Sequence, residues 1–269
     1  MRHIVMYSGG IASWATAHRV ISRGHSPTLL FADTNLEDGD LHRFLEEGSR
    51  ALTPDPDLVR IEDGREPWDV FKKERMMGNT RNDPCSKILK RKLIRKWMNA
   101  HCDPGDTTIY LGFTWDESHR FDPPPGSPKR GAKDYWKPWI AEAPLLDPPY
   151  VARHNILESL RSHGVDPPRL TKQGFPHNNC GGFCVKAGQA QFAKLLGTYP
   201  ERYAYHEFKE LQFREFIGKD VSILRDRRGS DTKTMTLRDF RLRVERGQSH
   251  DLFDWGGCAC MEPGEDSDE

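Results

Sequence analysis

His3-Ile4-Val5-Met6-Tyr7-Ser8-Gly9-Gly10-Ile11-Ala12-Ser13 decides the fold. His3 to Tyr7 form a short, largely apolar run of strand length. Two glycines break the run, and Ile11, Trp14, Ala15, Ala17 and Val20 then recur at helical spacing. The reading is a strand, a tight turn and a helix. Glycines let the backbone turn sharply and aim several N–H groups at one anion. A helix starting near Ile11 adds its positive end, and Ser8 and Ser13 offer hydroxyls to phosphate oxygens. Ser8, Gly9, Gly10 and Ser13 are therefore candidate nucleotide-binding residues. No Gly-Lys-Ser/Thr follows, so this is not a Walker A loop. The third glycine of the dinucleotide fingerprint is also missing.

Downstream, the same alternation repeats. Residues 27–32 read as a second buried strand, ending in Asp33-Thr34-Asn35 before a helix through Leu41, Phe44 and Leu45. Leu58 to Ile61 and Thr107 to Phe113 read as further strands, the latter preceded by a basic helix beginning near Ser86. Strands alternating with helices predict an α/β, Rossmann-like parallel sheet, with ligands at the carboxyl ends of the strands. Residues 121–150 hold eight prolines and little periodicity, and read as a long irregular segment or lid. Helices follow over Tyr150–His163, Lys186–Leu196 and Tyr199–Ile217, then a short strand at Val221–Leu224 and a helix over Thr236–Glu245 with Thr236 as its N-cap. The expected organisation is a nucleotide-binding α/β domain over residues 1–150, a helical C-terminal region with a cysteine-rich metal site over 151–262, and an acidic tail over 263–269.

Lys and Arg together number 40, as do Asp and Glu, so net charge says nothing about partners. Local charge is more informative. Ten Lys or Arg lie between Lys72 and Lys96 against Glu74 and Asp83, and Lys87, Lys90 and Arg91 share one face of an α-helix. Such cations suit a triphosphate or a nucleic-acid backbone. Arg120, after a strand end, faces the same site or pairs with Glu117. No apolar stretch approaches 18 residues and no export signal is visible. A cytoplasmic protein away from membranes is therefore expected, with its six cysteines reduced.

Cys180 and Cys184, and Cys258 and Cys260, sit in glycine-rich turns, and two such pairs make a four-thiolate site for Zn²⁺ or an iron–sulfur cluster. Cys102, near a helix end, reads as structural, and His177 as a surface residue before a loop or as a replacement for one Cys ligand.

In order along the chain, these features resemble the PP-loop superfamily, and within it the phosphoadenosine phosphosulfate (PAPS) reductase-like family. Ser8 to Ser13 resemble the PP-loop itself. Asp33-Thr34 matches the position of an Asp-Thr motif beside the nucleotide. Cys85-Ser86-Lys87-Ile88-Leu89-Lys90 resembles a Cys-Cys…Lys segment with one cysteine. Gly112-Phe113…Glu117-Ser118-His119-Arg120 resembles Gly-Ile…Glu-x-x-Arg, and Pro144-Leu145, Gly174-Phe175 and Asn179-Cys180-Gly181-Gly182-Phe183-Cys184 resemble the family's Pro-Leu…Gly-Cys-x-x-Cys tail. Two departures stand out. Ala12 occupies a position that is Asp in many relatives, and the Glu-Cys-Gly-Leu-His motif carrying the attacking thiol of sulfonucleotide reductases is absent.

The resemblance implies an adenine-nucleotide site that includes Asp33 and Thr34, with Cys85, Lys87, Lys90 and Arg120 as catalytic candidates. It also implies a [4Fe-4S] cluster involving Cys85, Cys180 and Cys184, with Cys258 or Cys260 completing the set. The alternative is zinc on the two C-terminal pairs, with Cys85 as a free sulfur-carrying thiol. The expected activity is ATP-dependent adenylation of an acceptor with pyrophosphate release, for sulfur transfer to a nucleic acid, with a sulfur or electron donor protein as partner. The alternatives are reduction of PAPS or adenosine phosphosulfate (APS), and a nucleotide-sensing or nucleic-acid-binding module without turnover.

Overall fold

Strand alternation builds two cores at once. In the computed structural model, which describes residues 1–127, 130–227 and 231–257, β1 (Arg2–Met6) lies between β2 (Thr28–Asp33) and β4 (Thr107–Tyr110). With β3 (Leu58–Glu62) and β5 (Ile140–Glu142) at the edges, the sheet has five strands in the order β3-β2-β1-β4-β5, all parallel. Side chains alternate across a strand. Val5, Tyr7, Leu29 and Phe31 therefore join one buried cluster, and Ile4, Met6, Leu30 and Ala32 the opposite one.

On the first face pack α1 (Ile11–Ser22), α2 (Gly39–Arg50) and α8 (Arg153–Ser162), which bring in Trp14, Phe44, Leu45, Ile156 and Leu160. The Trp14 indole donates to the Gly48 carbonyl at 2.9 Å and fixes α1 to α2. On the second face lie α5 (Leu93–His101) and the segments around β5. A third cluster joins α3 (Pro67–Glu74) and the short α4 (Pro84–Ser86) to the C-terminal helices α10 (Gln189–Thr198), α11 (Pro200–Ile217) and α12 (Leu237–Glu245). Trp68, Phe71 and Leu89 there meet Phe183, Phe192, Tyr203 and Phe240. The N- and C-terminal parts of the chain thus share a core. Thr236 caps α12 as expected, accepting from the Asp239 amide at 3.0 Å in a reciprocal capping box.

Two expectations change. The proline-rich stretch is largely irregular, as read, but packed and not a lid. It follows α6 (Ser118–Phe121), carries the short α7 (Ala132–Tyr135) and the edge strand β5, and buries Tyr135, Trp136 and Trp139. Arg95 donates to the carbonyls of Tyr135 and Lys137 and stacks over three of these aromatic rings at 5.2–5.6 Å. Arg19 on α1 holds the far end through the carbonyls of Pro144, Asp147 and Pro149 at 2.7–2.9 Å.

The basic helix is not uniformly α either. Lys87–Lys92 form a π-helical segment between α4 and α5, so spacings of three and four residues no longer define one face. Arg91 turns inward, 1% exposed, and pairs two-pronged with Asp83 at 3.2 Å. Cys258, Cys260 and the expected acidic tail over 263–269 lie outside the described residues.

A buried carboxylate joins the C-terminal elements. Glu210 accepts from the amides of Ile223 (3.0 Å) and Leu237 (2.5 Å). Burial outweighs these two bonds and pushes its pKa up to about 7. The folded chain therefore holds this proton more tightly than the unfolded chain. The contribution is fully present below the ordinary carboxylate range and is lost as pH rises through 7. A shift of this size corresponds to about 3 kcal/mol. Replacing Glu210 with Gln removes the titration. In urea unfolding, the stability difference between wild type and Glu210→Gln is expected to move in the variant's favour by about 3 kcal/mol between pH 5 and pH 8.

Candidate functional site

In an open parallel sheet, the strand order reverses where a central strand's two neighbours lead off in opposite directions. Loops there diverge and leave a crevice. β1, between β2 and β4, is that point. A cavity of about 490 Å³ opens at the carboxyl ends of β1 and β4, within the roughly 300–1,000 Å³ typical of small-molecule sites. Three of its walls come from Met6 to Ser13, Leu111 to Arg120, and Thr171 with Pro176 to Asn179, and Val151 to Arg153 with Ile156 add a fourth.

The two loop glycines have different tasks. Gly9 has a φ of +76° and packs against Leu41 of α2, where an added Cβ would lie 2.4 Å from a Leu41 methyl. It makes the turn and seats α2. Gly10, the residue before α1, lines the cavity with Ile11 and Ala12. The first amides of a helix have no intrahelical acceptor, so this end of α1 presents donors and a positive dipole end to the cleft. Ser8 lines the cleft with its hydroxyl 3.4 Å from the Gly10 amide. Ser13, 3% exposed, donates its hydroxyl proton to the Gly10 carbonyl at 2.7 Å, so it offers the cleft lone pairs rather than a donor.

The second wall carries Arg120. The first turn after β4 is set by a capping box, in which the Glu117 carboxylate accepts from the Thr114 amide at 3.2 Å and hydroxyl at 3.1 Å. Glu117 also pairs with Arg120, whose guanidinium lies 5.2 Å over the Phe113 ring. An arginine held by both a carboxylate and a ring is pre-positioned for an anion. Gly112 brings this wall against α1: a Cβ there would lie 3.0 Å from the Ser13 amide nitrogen and 3.1 Å from the Ala12 carbonyl carbon.

The third wall is tied to the first through Asn178. Its side-chain amide approaches the Gly9 carbonyl at 3.5 Å, and its oxygen accepts from the Thr171 hydroxyl at 3.1 Å. Behind it lies Glu37, whose side chain is fully buried. Glu37 accepts from the Thr34 hydroxyl (3.0 Å), the Lys90 ammonium (3.3 Å) and the Cys180 amide (2.5 Å). Lys90 also reaches the Asn179 side-chain oxygen at 3.4 Å. Next in sequence, Asp38 pairs with Arg169 at 2.7 Å and Arg202 at 2.9 Å, which hold its carboxyl below the usual range despite burial.

The candidate residues therefore divide. Ser8, Gly10, Ser13 and Arg120 line the cleft. Thr34 and Lys90 stand behind its third wall, in the Glu37 cluster. Asp33 accepts from the Asn35 amide at 2.8 Å, off the cleft. Lys87 is half-buried and also off the cleft wall. Cys85 is buried in the third core cluster together with Cys184, and neither lines the cavity. Of the ten cations between Lys72 and Lys96, six are exposed: Lys72, Lys73, Arg75, Arg81, Lys92 and Lys96.

Of the expected four-thiolate set, Cys180 and Cys184 are buried in the described residues, and Cys258 and Cys260 lie outside them. Among the described residues no three His, Cys, Asp or Glu side chains converge as a metal site. No helix among the described residues is long and apolar enough to cross a membrane.

Sequence reasoning missed Glu37 and Asn178, and it placed His177 on the surface, whereas the ring is buried in the cleft wall. Glu37 gives no local signal, since its partners Lys90 and Cys180 lie 53 and 143 residues away. The resemblance already pointed to Glu117 and Asn179.

Both the close approach and the buried charge are open to mutation. Gly112→Ala sets a methyl against the α1 backbone, which cannot yield as a side chain would. A loss of about 1–3 kcal/mol in chemical denaturation is expected. Glu37→Ala leaves the Lys90 ammonium in a buried pocket without its carboxylate, at a cost of about 3–5 kcal/mol. Adding Lys90→Met to that variant should restore a large part of the loss.

Comparison with known proteins adds likenesses to solved structures. Among solved structures, the chain is similar to phosphoadenylyl-sulfate (PAPS) reductase from Candida auris, determined as a phosphate complex. Identity is 13% and the TM-score 0.45, over 66% of this chain and 81% of that chain. No family model and no curated protein matches the chain.

Proposed function

We propose that the chain is a PAPS reductase-like PP-loop enzyme that binds ATP and adenylates an acceptor with release of pyrophosphate. One observation carries the reading: the open end of α1 and a fixed arginine, Arg120, line one nucleotide-sized cleft where the sheet order reverses. That arrangement collects phosphate charge. The acceptor's nucleophile attacks the α-phosphorus, the bond to the bridging oxygen of the β-phosphate breaks, and pyrophosphate departs with the electron pair. The amides at Ile11 and Ala12, together with Arg120, stabilise the charge growing on the leaving group. Lys90 adds positive potential from behind the wall. A second nucleophile, for which a sulfur donor is proposed, then displaces AMP from the acceptor. The exposed cations between Lys72 and Lys96 favour a nucleic acid as that acceptor.

Reduction of PAPS or APS needs a thiol at the cleft. Cys85, Cys102, Cys180 and Cys184 lie off it, and Cys258 and Cys260, the other candidate thiols, lie outside the described residues. A binding module without turnover would share the cleft but release nothing.

ATP is expected to raise the thermal midpoint of the wild-type chain, and Arg120→Ala to weaken that binding by roughly tenfold or more, as loss of a charge-assisted contact does. Pyrophosphate release from ATP, assayed with candidate RNA and DNA acceptors, tests turnover. Sulfite formed from PAPS or APS with thioredoxin would replace adenylation by the reductase reading.

A further inference from the structure

His177 lies on the third wall between Pro176 and Asn178, facing the cavity that Gly10, Ser13 and Arg120 also line. Both ring nitrogens are shut off from solvent, and neither has a hydrogen-bond partner among the described residues. A neutral imidazole carries one donor and one acceptor, and burying both unbonded is costly. Such an orphan calls for an explanation in a ligand, an ion or a catalytic task.

The surroundings indicate the sign of the missing partner. Burial pushes the ring's pKa down to about 4, and Lys90 from the π-helical segment and Arg120 from α6 add to the shift as neighbouring cations. Glu117 and Asp116 on the second wall and Arg153 at the start of α8 are the other charged groups lining the cleft. Glu117 is engaged by Arg120 and Thr114. The free chain thus keeps an uncharged ring beside two cations.

We propose that His177 is a ligand-contacting residue of the nucleotide site, and that on binding its ring turns so that a nitrogen closed off in the free chain bonds the phosphate oxygens of the bound nucleotide. This assignment rests on the nucleotide reading above and adds a third contact surface to it. Lys90 and Arg120 are already paired with Glu37 and Glu117; a polyanion in the cleft adds negative charge beyond these carboxylates and offers acceptor oxygens. The bound state therefore favours the imidazolium, with both nitrogens as donors. Binding then takes up a proton at His177, and its contribution to affinity grows as pH falls from 8 to 6.

The test compares wild type with His177→Gln and His177→Phe by titration calorimetry with ATP at pH 6 and pH 8, alongside thermal unfolding of the ligand-free proteins. Taking the ratio of wild type to variant cancels the titration of ATP itself. At pH 6, His177→Gln should bind ATP about tenfold more weakly than wild type, and at pH 8 the gap should shrink to a few-fold, as expected for loss of a charged rather than a neutral hydrogen bond. His177→Phe should lose more affinity, yet unfold at the same or a higher temperature when free, because the ring nitrogens it removes had nothing to bond. A structural role predicts the reverse: a destabilised free protein and a pH-independent ratio. Wild-type binding matched by both variants at both pH values overturns the assignment of His177 alone. Failure of wild type to bind ATP, inorganic pyrophosphate or phosphate overturns the nucleotide reading and this one with it.

Discussion

The Glu37 carboxylate is the constraint on which the site depends. Fully buried, it must be matched by donors, and the chain supplies them from three places: the exit of β2, the π-helical segment, and the glycine-rich turn at Cys180. A buried charge tolerates no vacancy among its partners. The loop over 176–184 is therefore held against the sheet where its side chains complete the cleft. Asp38 extends the same tie to α9 (Arg169–Lys172) and α11. The left-handed backbone of Cys180, Gly181 and Gly182 is the local strain that this electrostatic tie sustains.

Around that tie, each layer has its own task. The sheet places the carboxyl ends of β1 and β4 side by side, and α1 turns its N-terminal amides to the gap between them. The proline-rich crossing after α6 is anchored by Arg19 and Arg95, so the second wall rests on packed aromatic residues rather than on a mobile flap. The third cluster binds α3 and α4 to the C-terminal helices, so residues far apart in sequence share one core. The fold brings the walls together only when all of these elements are in place.

How much of this can be read from the sequence depends on the range of the deciding interaction. The turn at Gly9-Gly10 and the strand and helix around it are legible, because apolar period and glycine positions act within a few residues. The Thr236 cap is legible for the same reason. β5 is not, since its three residues lie between Pro138 and Pro144 and carry no period of their own. The inward turn of Arg91 escapes as well: it depends on a π-helical register and on Asp83, neither of which helical spacing anticipates. The surface reading of His177 fails because its surroundings are built by Lys90 and Arg120, 87 and 57 residues away in sequence. Of the candidate site, the segment that acts through its own backbone was legible, while residues placed by distant partners were not.

The close approach at Gly112 has a further meaning. Where β4 leaves the sheet, main chain lies against main chain, with only a hydrogen atom between that strand's exit and the first turn of α1. That patch of the cavity wall is backbone set against backbone, so it has no rotamer of its own to rearrange, unlike the side chains that line the rest. Pressure on it meets main chain, which yields less readily than a side chain.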